Sequence, residues 1–314
     1  MKMNFTKTAV AAVIAVLFFN TSPSAAADQC MVDFASVQKA YSKSNFEATV
    51  IDSASLNVEP FSLDHASVNG ISYSTWKTLN NEVEGYALRN GKGFDFNHSQ
   101  SFIGILSWHQ TLIWDKLFSD KTRLEGYECT MLGRTRLAGR LVAMMRLSPV
   151  DEMRYSFVVA RDEDTSLPVE LAVVSPKQIV RAKFTVTAVH AGSSDKYSLT
   201  DETFDRVEKL SPKRVSSSSM VWRELTIPSN FKIKATSTQK FPDGKNISYQ
   251  EFSDGLVSFR VYRNTKTAVS VPTATDGTLT VFRAAKDNYE YAVVGEIPLE
   301  LSMLVLSKVL PKER

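Results

Sequence analysis

The chain has 314 residues, 37 basic against 34 acidic side chains, 43% hydrophobic residues and two cysteines. That hydrophobic fraction, with no low-complexity tract beyond one serine run, excludes a disordered chain. The formal charge of +3 falls to about +1 once Lys2 and Lys7 leave with the leader described next, which excludes an electrostatic case for nucleic acid.

Lys2 and Lys7, an apolar run from Ala9 to Phe19, and small residues up to Ala25-Ala26-Ala27 make a basic head, an apolar middle and an A-x-A end. This is the pattern of a secretory signal peptide cleaved after Ala27, too short in its apolar run for the roughly 20 residues of a membrane span. Asp28 and Gln29 stand where lipoprotein processing before Cys30 needs small residues, so a lipid-modified N-terminus is excluded. Cys30 and Cys129 are the only cysteines. An even count in an exported protein favours a disulfide, closing a loop of about 100 residues worth ~4.7 kcal/mol in the chain-entropy model. Two inert thiols are the alternative, and thiol redox catalysis is excluded because Cys-x-x-Cys is absent.

Phe34, Val37 and Tyr41 fall at helical spacing within Val32–Lys43 and predict one amphipathic helix. Strands follow at Phe46–Asp52 and Ile71–Thr78, around a less regular stretch from Asn57 to Asp64. A hairpin joins Gly85–Arg89 to Gly93–Asn97 across Asn90-Gly91-Lys92, whose Asn-Gly tolerates the positive φ of a tight turn. Ser101–Lys121 switches to a helical period. Its apolar residues either pack on the concave face of the sheet, the plainer reading, or leave a greasy cavity lined by Trp76, Trp108, Trp114, Phe118 and Met144. Met145 stands on the other face of its strand, so only one of the two methionines can point inward.

From Gly133 the apolar and polar residues alternate. The runs Arg140–Leu147, Arg154–Ala160, Pro168–Val174 and Val180–Val189 predict an antiparallel meander, broken at Ser148-Pro149, Asp162–Thr165 and Ser175-Pro176. Arg134, Arg136 and Arg140 lie at even spacing and share a face if one strand runs regularly from Gly133 onward. Such a face either pairs with nearby acids, the preferred reading, or holds phosphates or carboxylates.

Glu208–Ser219 has the composition of a linker, which divides the chain into a domain at 28–207, a linker at 208–221 and a domain at 222–314. The second domain should carry strands at Arg223–Ile227, Phe231–Ser237, Ser248–Phe252, Val257–Arg263, Thr278–Ala284 and Tyr289–Val294. A final helix then opens at Pro298. The four histidines have no metal-ligand spacing, and neither Gly-x-Ser-x-Gly nor a phosphate-cradling glycine loop occurs, so no metal, no cofactor and no enzyme activity are expected.

Several blocks resemble the RseB/MucB family, the periplasmic regulators of the envelope-stress sigma factor sigma-E. They are Gly133-Arg134 with Ala138 and Arg140, Arg154-Tyr155-Ser156, the acidic turn from Asp162 to Pro168, Phe252–Phe259, and Val294–Pro298. The resemblance covers about Gly133–Val189 and Trp222–Pro298, in the family's order. It implies a mainly β (α+β) fold: a large incomplete antiparallel β-barrel wrapped around helices, like a lipoprotein carrier, plus a small C-terminal antiparallel sheet domain with a terminal helix. It further implies a periplasmic protein that binds the periplasmic segment of a membrane anti-sigma factor and shields it from site-1 proteolysis. Lipoprotein acyl chains or lipopolysaccharide would release that grip. On this reading the aromatic and methionine set takes acyl chains and Arg134, Arg136 and Arg140 take headgroup charge. Trp222, Phe259 and Tyr262 are the partner-binding candidates. A lipoprotein carrier is the alternative function, opposed by the second domain; a secreted hydrolase is a third. Self-association is left open.

Overall fold

The computed structural model describes residues 23–53, 58–80, 84–95, 110–192, 220–240, 244, 246–265 and 273–310. The leader up to Ser22, Trp108 and the linker as far as Ser219 lie outside them. Helix α1 (Pro23–Lys43) is followed by β1 (Phe46–Asp52), β2 (Glu59–Val68), β3 (Ile71–Thr78), β4 (Gly85–Arg89) and β5 (Lys92–Asp95). Then come the short helix α2 (Leu112–Phe118), β6 (Tyr127–Leu137), β7 (Arg140–Pro149), β8 (Ser156–Asp162), β9 (Pro168–Val174) and β10 (Val180–Ala191). These ten strands form one antiparallel sheet in the order β5-β4-β3-β2-β1-β10-β9-β8-β7-β6. The sheet does not close among the described residues. It is an incomplete barrel curled over α1 and α2.

The local reasons are visible in the residues. Cys30, Phe34, Val37 and Tyr41, spaced by four, three and four, make one buried stripe on α1. Phe46, Ala48 and Val50 alternate inward on β1, and β9 is buried along its whole length because it lies mid-sheet. Asn69-Gly70 and Asn90-Gly91 both take positive φ, as two-residue hairpin turns demand. Cys30 and Cys129 form a disulfide with Cα atoms 5.5 Å apart, tying α1 to β6 at the edge of the sheet.

A second antiparallel sheet holds β11 (Lys232–Lys240), β12 (Asn246–Ser253), β13 (Ser258–Thr265), β14 (Thr273–Asp276), β15 (Leu279–Lys286) and β16 (Tyr289–Gly295), in the order β11-β12-β13-β16-β15-β14. Helix α3 (Leu299–Val305) follows Pro298 and buries Leu301 and Val305. Gly295 lies opposite Phe259, and a Cβ there would sit 2.4 Å from the Phe259 Cβ, so the ladder needs glycine at that point.

Three expectations fail. Arg223–Ile227 is not a strand: the Thr226 N–H donates to the Val305 carbonyl and the Lys308 ammonium to that of Leu225, so the segment satisfies the end of α3 instead of joining the sheet. Strand β14, exposed at every residue, had no apolar signal to reveal it. The chain also turns at Ala138-Gly139, both at positive φ, making β6 and β7 a hairpin, so the condition for Arg134, Arg136 and Arg140 to share a face, one regular strand from Gly133, is not met.

Candidate functional site

The concave face of the large sheet is filled. Trp76, Trp114 and Phe118 are all but fully buried, and Trp114 packs edge-on against Trp76, Phe118 and Phe184 with ring centroids 6.2, 4.9 and 6.5 Å away. The apolar space left between Trp114, Phe46, Leu63, Leu167 and Val189 is about 10 Å³. Met144 does not line it. Met145 is fully buried opposite Val159, whereas Met144, one residue away in a period-two strand, is half-buried on the other face.

Among these rings sits one carboxylate. Asp115 accepts from the Tyr41 hydroxyl at 2.8 Å, the Trp76 Nε1–H at 2.7 Å and the Tyr86 hydroxyl at 3.3 Å. Burial pushes its pKa up, and the donations from Ser74, Tyr41, Trp76 and Tyr86 work the other way. The tryptophan next to it has no such partner: among the described residues, nothing accepts from Trp114 Nε1.

The three arginines do not share a face. Arg134 and Arg136 pair with Ala143 and Leu141, while Arg140, beyond the turn, pairs with Leu137 and so projects from the opposite side. Arg134 forms an ion pair with Glu163 at 2.7 Å, Arg136 donates to the Gly139 carbonyl, and Arg140 donates to Asp162 at 2.8 Å. Against the cost of burial, Arg140 and the N–H groups of Thr165 and Asp164 hold the Asp162 carboxyl below the usual carboxylate range. These are turn-fixing pairs, not one anion cradle.

The aromatic candidates of the second sheet separate in the same way. Phe259 is fully buried against Phe252 and Phe231 and is core, not surface. Tyr262 lies three residues on and therefore on the other face, half-buried, donating to Gln239 at 2.9 Å. Trp222 is half-buried beneath the Arg263 guanidinium, 4.4 Å from its ring centroid.

The buried apolar residues of the two sheets form one continuous cluster, and a set of polar groups joins the sheets beside it. Arg154, 2% exposed, donates to Asp151 at 2.6 Å, to Asp254 of the second sheet's β12–β13 turn at 2.9 Å, and to the carbonyls of Glu125 and Gly126. Its guanidinium also lies over the Tyr127 ring, 4.4 Å from the centroid. Gly126, at φ +70°, makes room for it, since a Cβ would approach Arg154 Nη2 to 2.8 Å. Around this centre Asn230 donates to Asp151, Tyr155 to the Thr278 carbonyl and Lys116 to Glu296 at 2.6 Å, with Lys177 paired to Glu300 at 2.9 Å.

The MucB/RseB N-terminal domain family matches residues 32–212, and the MucB/RseB C-terminal domain family matches residues 216–309. The chain belongs to the MucB/RseB family. The sigma-E factor regulatory protein RseB of Salmonella typhimurium is 26% identical over 313 residues, 96% of each chain, and that of Escherichia coli 27% over 202 residues, 62% of each. The Pseudomonas aeruginosa MucA/MucB complex contains a chain of the same fold, with TM-score 0.68 at 18% identity over 88% of this chain and 97% of that one. MucB/RseB proteins are regulatory binding proteins, not enzymes.

In this MucB/RseB chain, Arg154 opens the Arg-Tyr-Ser block and Asp254 lies within the Phe252–Phe259 block, so two of the blocks that carry the resemblance touch across 100 residues. Sequence spacing cannot reveal that contact. Asp115 and Lys116 were equally hidden. They are the two polar residues inside an otherwise apolar run, which is the one signal that could have marked them: the first turns into the core, the second out to Glu296.

Proposed function

We propose that this protein is a periplasmic regulator that binds the periplasmic segment of a membrane anti-sigma factor and shields it from site-1 proteolysis. The supporting observation is the match of both MucB/RseB domain families, in order, to a chain whose fold is that of the MucB chain in a MucA/MucB complex. The proposed domains are 28–207 and 222–314, joined by the linker 208–221. Among the described residues no helix is long and apolar enough to cross a membrane. Occlusion needs no catalytic group.

Release by lipoprotein acyl chains or lipopolysaccharide belongs to the same proposal. A space of about 10 Å³ holds no acyl chain, so a lipid entering there would displace rings such as Trp114, whose Nε1–H finds no acceptor among the described residues. A lipid that binds only the opened form weakens the partner complex by its own preference for that form. Trp222 and Tyr262 remain partner-contact candidates, on separate surfaces of the second domain.

Protease protection tests this. The mature chain from Asp28 is mixed with the periplasmic domain of the cognate anti-sigma factor and the site-1 protease, with and without a lipoprotein fragment or lipopolysaccharide. Slowed cleavage that lipid restores is the expected result. Equal cleavage rates at saturating protein, with no complex formed, would sink the proposal.

A further inference from the structure

A second cavity among the described residues is larger than the apolar one. A cleft of about 330 Å³ opens at the rim of the first sheet, between the end of α1, the turns Asn69-Gly70 and Asn90-Gly91, and the segment after α2. That volume falls in the roughly 300–1,000 Å³ range of small-ligand sites. Ser42, Ser67, Ser72, Asn90 and Ser119 line it, and most of these groups are already oriented. Ser42 Oγ accepts from the Asp120 N–H and Ser119 Oγ from that of Lys121, while Ser72 Oγ bonds His65 Nε2 at 3.1 Å. Asn90 Oδ1 accepts from the Ser72 N–H and from the Lys121 ammonium, each at 3.2 Å. A hydroxyl has one donor and two acceptor positions, so one such bond does not exhaust it. The charged lining carries both signs, Lys43 and Lys121 with Asp120 and, at its inner end, the buried Asp115.

We propose that this cleft binds a neutral saccharide. The lining mixes apolar surface with hydroxyl and amide groups that an acyl chain would leave unpaired, and charges of both signs stand around it, which gives no one-sided attraction to a phosphate. Pre-oriented hydroxyl and amide groups match the paired donor and acceptor character of sugar hydroxyls. The site stands on this chemistry alone and does not depend on the anti-sigma reading, since no anti-sigma segment enters its test.

The test is amide NMR of the mature chain titrated with N,N′-diacetylchitobiose, lactose and, as an anionic comparator, glucose 1-phosphate. The expected result is saturable shifts at Ser67, Ser72, Asn90 and Lys121 with a neutral disaccharide. Binding should fall about tenfold or more in Ser67→Tyr, which fills the cleft, and measurably in the exposed Lys121→Ala, which keeps the fold should the first variant lose it. Preference for chitobiose points to an amino-sugar glycan of the cell wall, and preference for lactose to the hexoses of a lipopolysaccharide; either supports the site. Shifts confined to glucose 1-phosphate, shifts elsewhere on the surface, shifts that survive both substitutions, or none with either neutral sugar overturn it.

Discussion

The interior of the first sheet and the joint between the two sheets differ in how much of their contact is polar. Beneath the large sheet, Trp76, Trp114, Phe118 and Phe184 interlock with almost no free volume, and Asp115 is tied down by the groups around it. At the joint, ion pairs and single hydrogen bonds are added to an apolar cluster that runs on from one sheet to the other. Close packing resists small displacements, because every contact is lost over a fraction of an ångström. Ion pairs resist less sharply and respond to salt and to competing charge. The polar contacts are therefore the part of the joint that salt or a competing charge can loosen first.

The sharpest way to break the comparison is to empty the interior. Trp114→Ala removes the ring on which three others lean and should cost about 3–5 kcal/mol, read as a lower urea midpoint of the first domain. A loss below about 1 kcal/mol would mean that the core can collapse around the gap, and the contrast with the joint would be lost. Next comes the centre of the joint. Arg154→Ala leaves Asp254, 2% exposed at its side chain, as a buried charge without its main partner. A penalty of about 3 kcal/mol is expected from the stranded charge. Arg154→Ala with Asp254→Ala should recover much of it, which distinguishes a joint held by this pair from one held by shape.

How much of this was legible follows the same division. Helix α1 and strands β1, β3, β7 and β9 could be read from the chain because burial on one face imprints a period on neighbouring residues. The hairpin at Asn90-Gly91 could be read because only a few residue types tolerate its φ. Face assignments that ran through a turn could not: Arg134 and Arg140 have the spacing of one face, and Ala138-Gly139, without an Asn or Asp to announce it, puts them on two. Sheet-to-sheet contacts left no local trace, since Arg154 and Asp254 are far apart in sequence and each lies in an ordinary turn or strand entry. Phe259 was misread as surface because an aromatic residue at an interface and one in a core have the same composition.

The interior also predicts a pH dependence of its own, centred on a buried histidine. His65 is 1% exposed, with Nδ1–H donating to the Ser44 carbonyl at 2.8 Å and Nε2 accepting from Ser72. Burial lowers its pKa to about 4, partly offset by the Ser44 bond. The folded state therefore takes up its proton later than the unfolded state, whose histidine titrates near 6.5. Stability conferred by neutral His65 is complete above about 6.5 and is lost as pH falls towards 4, a change of order 3 kcal/mol. Urea unfolding at pH 7 and pH 4.5 should show this loss, and His65→Gln should flatten the slope between them even if it lowers stability throughout. An unchanged slope would place the acid sensitivity elsewhere.

At the other extreme lies the pair Lys177–Glu300, 2.9 Å apart with the lysine side chain 68% exposed. It joins the turn after β9 to the first turn of α3 and looks, by distance alone, as good as the contact at Arg154. Its environment makes the difference. Water screens the attraction, and ordering a long lysine side chain costs entropy that offsets most of what remains, so Lys177→Ala should change stability by less than about 1 kcal/mol. The effect should shrink further at 1 M salt, where the screening length is about 3 Å. If Lys177→Ala instead matched Arg154→Ala in cost, exposure would not rank the contacts of the joint, and each of them would have to be treated as a separate latch. If it proves nearly silent, the grip between the sheets resides in the buried guanidinium and its two aspartates, and agents that loosen the joint must reach that group.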